Sequence, residues 1–428
     1  MIEVDIHGLT SDGDGVGRLE SGQVVFVPGA LPGDRVRVRL TTARKGIQLA
    51  ELVELLDPSA LRERGRCTID ACGGCALKNA AYAGQAELKR QRVLDNLSRL
   101  GHLDVSTKLG PTLTLGDGWR YRHRVRLHAA HVGGRWQLGY YAARSHTVVP
   151  VSGCPVLWRE LEQAALALGH ELASFPAEMR LKSVELAHSR RDGRTAAALH
   201  GLGAVDHFRR SLSWIENAGL SGVRVLGGAA QWSHGNVELR YDHARAADFD
   251  LRFEPTLFTQ AFPEMNDRLV EAVMRAVQPK PELRIVELHA GVGNFTLPLA
   301  SAGASVFAVE RQRRAAIMAR RNLRTAGLSA RVVELADTEA LAQLDDCDVL
   351  VLDPPRTGAR DVCRGVAGSR AVQRLVYVSC DSATLARDVA GLVHGGGFEV
   401  VAVEAFDMFP QTPHVEVVMT LERPHRMP

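Results

Sequence analysis

The feature that most narrows the fold is an alternation of strand-like and helical patterns from about residue 283 onward. Arg284-Ile285-Val286-Glu287-Leu288 reads as a strand and runs into a glycine turn at 291–293, then a helix. Ser305 to Val309 reads as a second strand, followed by a helix through Leu323. Arg331-Val332-Val333 and Asp348 to Leu352 read as a third and a fourth, and a helix near 361–373 precedes a fifth at Leu375 to Ser379. Strands separated by helices must cross over, which predicts a doubly wound, mostly parallel α/β sheet of Rossmann-like form. Such sheets bind ligands beyond the carboxyl ends of their strands, where the strand order reverses.

The chain of 428 residues is long enough for two or three domains. Residues 1–60 read as a small β-barrel: Val24 to Val27 is a strand closed by Pro28-Gly29, Val36 to Leu40 alternates arginine with apolar residues, and Leu49 to Leu56 follows. Arg35, Arg37 and Arg39 share one face of a strand, to meet either RNA or solvent. Residues 61–250 read as a mixed α+β central domain, with a helix over 82–100 carrying Leu88, Val93, Leu97 and Leu100. Within it, Trp119 to His128 alternates basic with apolar or aromatic residues, which suits an RNA-facing strand holding Arg120, Arg122, Arg124 and Arg126, or a plain exposed strand. Residues 251–428 form the α/β domain.

A net charge of +3 is too small to indicate a nucleic-acid partner on its own. The basic residues are mostly arginine, a bias that suits phosphate contacts and that a GC-rich genome also produces. The start Met1-Ile2-Glu3-Val4-Asp5 has neither the basic nor the apolar region of a secretory signal. No run approaches the roughly 18 apolar residues of a membrane helix. A cytoplasmic protein without membrane association, and a monomer, is expected. Seven cysteines in a chain this long do not form a disulfide framework.

The glycine turn Gly291-Val292-Gly293 could be a plain turn or a dinucleotide site. Two acids narrow it: Glu310 ends the second strand, where a carboxylate can accept ribose hydroxyls, and Asp337 lies just past the third, near where an adenine edge would fall. A turn and two acids in this order suit S-adenosylmethionine. Asp353-Pro354-Pro355-Arg356 follows the fourth strand, where the acid could face both donor and substrate. Tyr377-Val378-Ser379-Cys380-Asp381 ends the fifth, so Cys380 opens onto the same crevice, while Cys347 and Cys363 read as core residues. Uracil carbon 5 is a poor nucleophile. Thiolate addition at carbon 6 makes it enolate-like, so a cysteine beside a methyl donor suits carbon 5 methylation. A base must then remove the carbon 5 proton, and either His414 or Glu416 could serve. Separately, Cys67, Cys72, Cys75 and the distant Cys154 supply four thiolates able to hold zinc or a [4Fe–4S] cluster.

Together these motifs resemble the RNA uracil-5-methyltransferase family, in its branch that methylates 23S ribosomal RNA and carries a TRAM domain and an iron–sulfur cluster. The resemblance rests on Tyr377-Val378-Ser379-Cys380, Thr384-Leu385-Ala386-Arg387-Asp388, Asp407-Met408-Phe409-Pro410 through His414-Val415-Glu416, and the barrel segment Val24 to Gly33. It implies that Cys380 is the nucleophile and Glu416 the base. It implies that Gln260, in Phe258-Thr259-Gln260, binds S-adenosylmethionine with His289, Gly291, Asn294, Glu310, Asp337 and Asp353, and that Phe258 lies near the target base. It further implies that Cys67, Cys72, Cys75 and Cys154 hold a [4Fe–4S] cluster, that the barrel is an RNA-binding, OB-like TRAM domain, and that a helix near 82–109 packs with the catalytic domain. The chain departs from the family's usual residues at Glu287, His289, Ala290, Phe262 and Asp381, and the first cluster spacing is one residue short. Three other readings stand beside it: a transfer-RNA uracil-5-methyltransferase, a methyltransferase for another substrate class, and a non-catalytic RNA-binding iron–sulfur assembly factor.

Overall fold

Valines alternate with arginines along the fourth strand, and that alternation closes a barrel. In the computed structural model, which describes residues 1–44, 47–201, 206–209, 211–227, 230–242 and 249–424, the first 57 residues form β1 (Ile2–Leu9), β2 (Gly15–Arg18), β3 (Val24–Val27), β4 (Arg35–Arg44) and β5 (Ile47–Asp57). They close in the order β1-β2-β3-β5-β4. Val4, Ile6, Val25, Val27, Val36 and Val38 fill the interior, because alternate side chains of a strand share a face. Gly17 has no side chain because Val4 stands where a Cβ would go.

Helix α1 (Tyr82–Gly101) follows. Its Val93 and Leu97 are buried in one cluster with Leu350, Leu375 and Leu385, so the helix packs against the C-terminal sheet. It stops at Gly101, short of residue 109, because His102 turns left-handed (φ 52°) and its N–H caps the carbonyl of Leu97. Leu103, Val105 and Leu109 continue the same apolar contact without helix.

The central region is a seven-stranded sheet built from β6 (Arg124–Val132), β7 (Arg135–Tyr141), β8 (Val148–Pro150), β9 (Leu181–Ser189), β10 (Arg194–Gly201), β11 (Leu220–Gly227) and β12 (Ala230–Gly235), in the order β12-β11-β10-β9-β6-β7-β8. Helices α2 (Arg159–Leu172), α3 (Asp206–Arg209) and α4 (Ser213–Asn217) accompany it. The expected strand over 119–128 begins only at Arg124. Before it, Arg120 adopts φ 55°. The N–H groups of Arg120 and Arg122 bind the carbonyls of Pro155 and Val156, which ties this stretch to the segment bearing Cys154. A short pair, β13 (Leu239–Arg240) and β14 (Arg252–Phe253), bridges the border drawn from sequence at residue 250.

The C-terminal sheet holds β15 (Arg284–Leu288), β16 (Ser305–Val309), β17 (Arg331–Val333), β18 (Val349–Leu352), β19 (Arg374–Ser379), β20 (Glu399–Phe406) and β21 (Glu416–Glu422). Helices α5 (Pro263–Val277), α6 (Thr296–Ser301), α7 (Arg313–Thr325), α8 (Arg360–Gly368) and α9 (Ser382–His394) cover it. Its order is β17-β16-β15-β18-β19-β21-β20. The first five strands are parallel, while β21 and β20 form an antiparallel hairpin on β19. Burial on both faces explains why β18 reads Val-Leu-Val-Leu without alternation. The order reverses between β15 and β18, which opens the crevice there. Among the described residues no helix is long and apolar enough to cross a membrane.

Candidate active site

The sheet brings chemistry to one edge by strand direction. Parallel strands β15, β16, β18 and β19 end there, delivering His289, Glu310, Asp353 and Cys380 in the residues that follow. Strand β21 runs the other way, so its first residue, Glu416, meets the same edge. Asp381, directly after Cys380, caps α9: its carboxylate accepts from the N–H groups of Ala383 (3.0 Å) and Thr384 (2.9 Å). The departure from asparagine at 381 therefore keeps the helix start intact.

One cavity is lined by Tyr241, Phe258, Gln260, His289, Gly291, Asn294 and Asp353. Gly291 takes φ 58°, and nothing lies within 4 Å of where its Cβ would stand, so the turn leaves open space beside the backbone. Among the described residues the buried Gln260 Oε1 of this lining has no hydrogen-bond partner. An unsatisfied polar atom in a buried wall suits a polar ligand, and this one fits a polar end of S-adenosylmethionine. Glu310 adjoins the cavity through the turn, its carboxylate accepting from Gly291 N–H (2.8 Å) and Gln312 N–H (2.6 Å). Asp337 adjoins it through His289, with 3.3 Å between Oδ2 and Nε2. Asn294 exchanges two amide hydrogen bonds, of 2.9 and 3.0 Å, with Asn266.

Phe258 is 62% exposed, an aromatic face left open beside the cavity. The loop behind it is gripped by Arg124, which donates to the carbonyls of Leu257 (2.7 Å) and Pro255 (3.1 Å). The carbonyl of Gln260 is held by the Tyr241 hydroxyl (2.9 Å) and the His123 ring (3.0 Å). His123, Tyr241 and Asn266 carry no motif in the sequence, and their partners lie far along the chain, so only the fold reveals them.

Three of the four arginines in the stretch expected to face RNA turn inward. Arg124 holds the 255–259 loop, and Arg122 donates to the carbonyl of Arg124 (2.9 Å) while lining the cysteine cavity. Arg120 is likewise taken up by the carbonyls of Cys154 and Leu157 and by Glu162. The cause is local: the stretch that should have formed an exposed strand edge pairs instead with residues 155–158.

Burial sets the acid–base character of the edge. The Cys380 thiol is pushed up to about 12, first by desolvation and then by Glu416, with the Arg356 guanidinium opposing. Desolvation and Asp353 push Glu416 well above the carboxylate range, again against Arg356. Desolvation lifts Asp353 to about 7. Glu287 lies behind the glycine turn, accepts from Thr296 Oγ1 (2.6 Å) and is lifted by burial to about 8. His414 is depressed to about 4 by burial and by Arg356, whose guanidinium meets its Nε2 at 3.1 Å. Arg356, quoted in the sequence only as part of its proline motif, is thus the cation that acts on both Cys380 and Glu416.

Cys67, Cys72, Cys75 and Cys154 line a second cavity, walled by Trp119, Tyr121, Tyr140, Val149, Val151 and Val156. The Tyr140 hydroxyl lies 3.7 Å from Cys154 Sγ. Among the described residues no three His, Cys, Asp or Glu side chains are grouped to hold a metal ion.

This fold and this edge define a class: a Rossmann-like methyltransferase with a barrel at its N-terminus. The chain matches the tRNA (uracil-5-)-methyltransferase family over residues 239–424 and the TRAM domain over residues 1–53. It is 34% identical to the 23S rRNA (uracil(1939)-C(5))-methyltransferase RlmD of Azoarcus sp., across 98% of this chain and 99% of that protein. It is 35% identical to the protein of that name in Halomonas elongata, across 99% of this chain and 89% of that one. A crystal structure of Pyrococcus abyssi tRNA (uracil-54, C5)-methyltransferase in complex with S-adenosyl-L-homocysteine superposes with a TM-score of 0.76, at 24% identity, across 98% of this chain and 99% of that one. The chain belongs to the S-adenosylmethionine-dependent RNA (uracil-5-)-methyltransferase family.

Proposed function

We propose that this protein forms 5-methyluridine in 23S ribosomal RNA, with Cys380 as nucleophile and Glu416 as base. The observation that carries the reading is the convergence of Cys380, Glu416 and Asp353 at one sheet edge, close enough for both acids to raise the thiol. The ribosomal substrate is supported by full-length relatives of that name. S-adenosylmethionine supplies an electrophilic methyl group. Gln260, His289, Gly291, Asn294 and Asp353 would hold it, with Glu310 and Asp337 behind the turn, and Phe258 would flank the target base. Cys380, once its proton is lost, adds as the thiolate to uracil carbon 6, and carbon 5 gains the nucleophilicity to take the methyl group, with S-adenosylhomocysteine as the leaving group. Glu416 removes the carbon 5 proton, and the Cys380–carbon 6 bond breaks to release the thiolate. The target must be flipped or unpaired for its carbon 6 to reach a half-buried thiol in the crevice.

Cys380→Ala should form no covalent RNA adduct and transfer no methyl. Glu416→Gln should trap a methylated protein–RNA adduct, because the proton stays on carbon 5. A denaturing gel with labelled RNA reads both. A shifted band from Cys380→Ala, or full turnover by Glu416→Gln, would sink the assignment. Mapping 5-methyluridine in cells lacking the gene separates ribosomal from transfer RNA.

The second cavity is the proposed seat of a [4Fe–4S] cluster on Cys67, Cys72, Cys75 and Cys154. What supports it is that all four thiols line one cavity with Arg122 at its wall, although as they stand they are not drawn together as ligands. Burial pushes the Cys75 thiol up to about 12 and raises Cys72 and Cys154, so without a ligand these sulfurs stay protonated. The expected role is structural. Anaerobically purified protein should be brown and contain about four irons; one zinc and no iron would refute the cluster.

A further inference from the structure

The nine-residue loop between β20 and β21 carries Pro410, Gln411 and His414 and delivers Glu416. Such a loop has many conformations open to it, yet this one is gripped by parts of the chain hundreds of residues away. Gln85, from the first turn of α1 and fully buried, forms a reciprocal pair with Gln411: its Nε2 donates to Gln411 Oε1 (3.0 Å) and its Oε1 accepts from Gln411 N–H (2.8 Å). Gln411 Nε2 donates to the carbonyl of Gly118 (3.2 Å), and its own carbonyl accepts from Leu77 N–H (2.9 Å). Gln411 is held at φ 71°, a left-handed conformation unusual for a residue with a side chain. Gly118 leaves room for this, since a Cβ there would meet Tyr82 and Gln411 Nε2. One and two turns along α1, Lys89 Nζ pairs with Asp407 Oδ1 (2.5 Å) and the carbonyl of Phe409 (3.1 Å), and Arg92 donates to the carbonyl of Pro413 (3.1 Å). One face of α1, spaced 85, 89 and 92, thus meets the loop from its start to its end.

We propose that Gln85 and Gln411 are positioning residues for proton removal: they lock the hairpin loop so that Glu416 reaches carbon 5. The proposal rests on the roles assigned above to Cys380 and Glu416. Those roles separate the steps. Cys380 stands between β19 and α9, and the hydrogen bonds of Gln85 and Gln411 reach neither element, so addition and methylation should depend on this pair less than proton removal does.

The test compares Gln85→Met, which keeps length and apolar packing, with wild-type protein on unmodified uridine RNA. Single-turnover assays read adduct formation and adduct release separately. Formation should stay within about threefold of wild type while release slows about tenfold to a hundredfold, the scale set by small misplacement of a reacting group. A methylated adduct should therefore accumulate. Gln411→Gly is the second variant, since glycine accepts φ 71° without strain and the backbone bonds to Gln85 and Leu77 are kept; thermal melting of both variants checks folding, and Gln411→Gly should show the same split. If Gln85→Met fails to fold, Gln411→Gly decides. Equal slowing of both steps, or unchanged release, would overturn the clamp. Glu416→Gln runs in parallel: if it accumulates adduct and the clamp variants do not, the clamp alone fails. If Glu416→Gln accumulates none, the base assignment falls and the clamp falls with it.

Discussion

Buried acids at the sheet edge and buried histidines around it pull the protein's pH response in opposite directions. Burial pushes Asp353 up to about 7 and Glu287 up to about 8, against ordinary values of 3.8 and 4.5. The folded state therefore keeps protons that the unfolded chain has released, and their stabilisation is lost as pH rises through the raised values. His123, His289 and His414 are depressed by burial from 6.5. The unfolded chain binds their protons below that value, so they make stability rise with pH up to 6.5. The two effects oppose each other in mild acid, and above about 6.5 the acids act alone. We predict a melting temperature that falls between about pH 6.5 and 8 while turnover climbs, because the proposed base must ionise and the thiol must shed its proton. Glu287→Gln should flatten the fall in stability. Scanning calorimetry across pH checks it, and a melting temperature that rises through this window would contradict the assigned shifts. Arg356 belongs to the same balance, because its charge favours the ionised forms of both Cys380 and Glu416. Each unit by which its loss raised the thiol would cost about tenfold in thiolate at fixed pH.

At the scale of elements, what was legible in the sequence is what depends on local periodicity. The parallel strands, α1 and the barrel strand β4 announce themselves by spacing, and the position of Cys380 follows from its place at the end of β19. The place of Glu416 does not. Nothing local says that β21 runs antiparallel to β19, yet that reversal is what returns the first residue of β21 to the edge where β19 ends. The stretch 119–123 misleads for a related reason. Its alternation is real, but residues 155–158 claim its backbone, and Arg120 and Arg122 then find carbonyls inside the protein; Arg124, the first residue of β6, reaches the carbonyls of the 255–259 loop. A guanidinium's partner 131 or 133 residues away leaves no trace in spacing. Departures from family residues proved local too: Asp381 caps α9, and Phe262 packs its ring 5.1 Å from Tyr121 in the core.

For the whole molecule the question is where phosphate meets positive charge on a protein whose net charge is only +3. The barrel stripe looks basic in sequence, but the fold lays acids beside it. Arg35 pairs with Glu3 at 2.9 Å, Arg37 with Glu54 and with Glu3 at 3.2 Å, and Arg39 with Glu51 at 3.2 Å. These pairs are exposed, so each contributes little to stability. Their effect on RNA binding is larger, because a phosphate approaching such an arginine displaces a carboxylate already there and meets its repulsion. Removing a free arginine that contacts phosphate should flatten the dependence of log affinity on log salt by about one unit. Removing Arg35, Arg37 or Arg39 should change it by less than about half a unit. The converse is sharper. Glu54→Gln leaves Arg37 with Glu3 as its one acidic partner among the described residues and removes a repelling charge, so it should tighten RNA binding and steepen the slope where this face meets RNA. Arg124→Ala should instead loosen the 255–259 loop, weakening donor binding with little effect on the slope. Filter binding of a ribosomal RNA fragment across a salt series measures the first two, and calorimetry with S-adenosylhomocysteine the third. A full unit lost from any one barrel arginine would show that the acids do not mask the stripe, and an unchanged slope in Glu54→Gln would move the RNA surface off this face of the barrel.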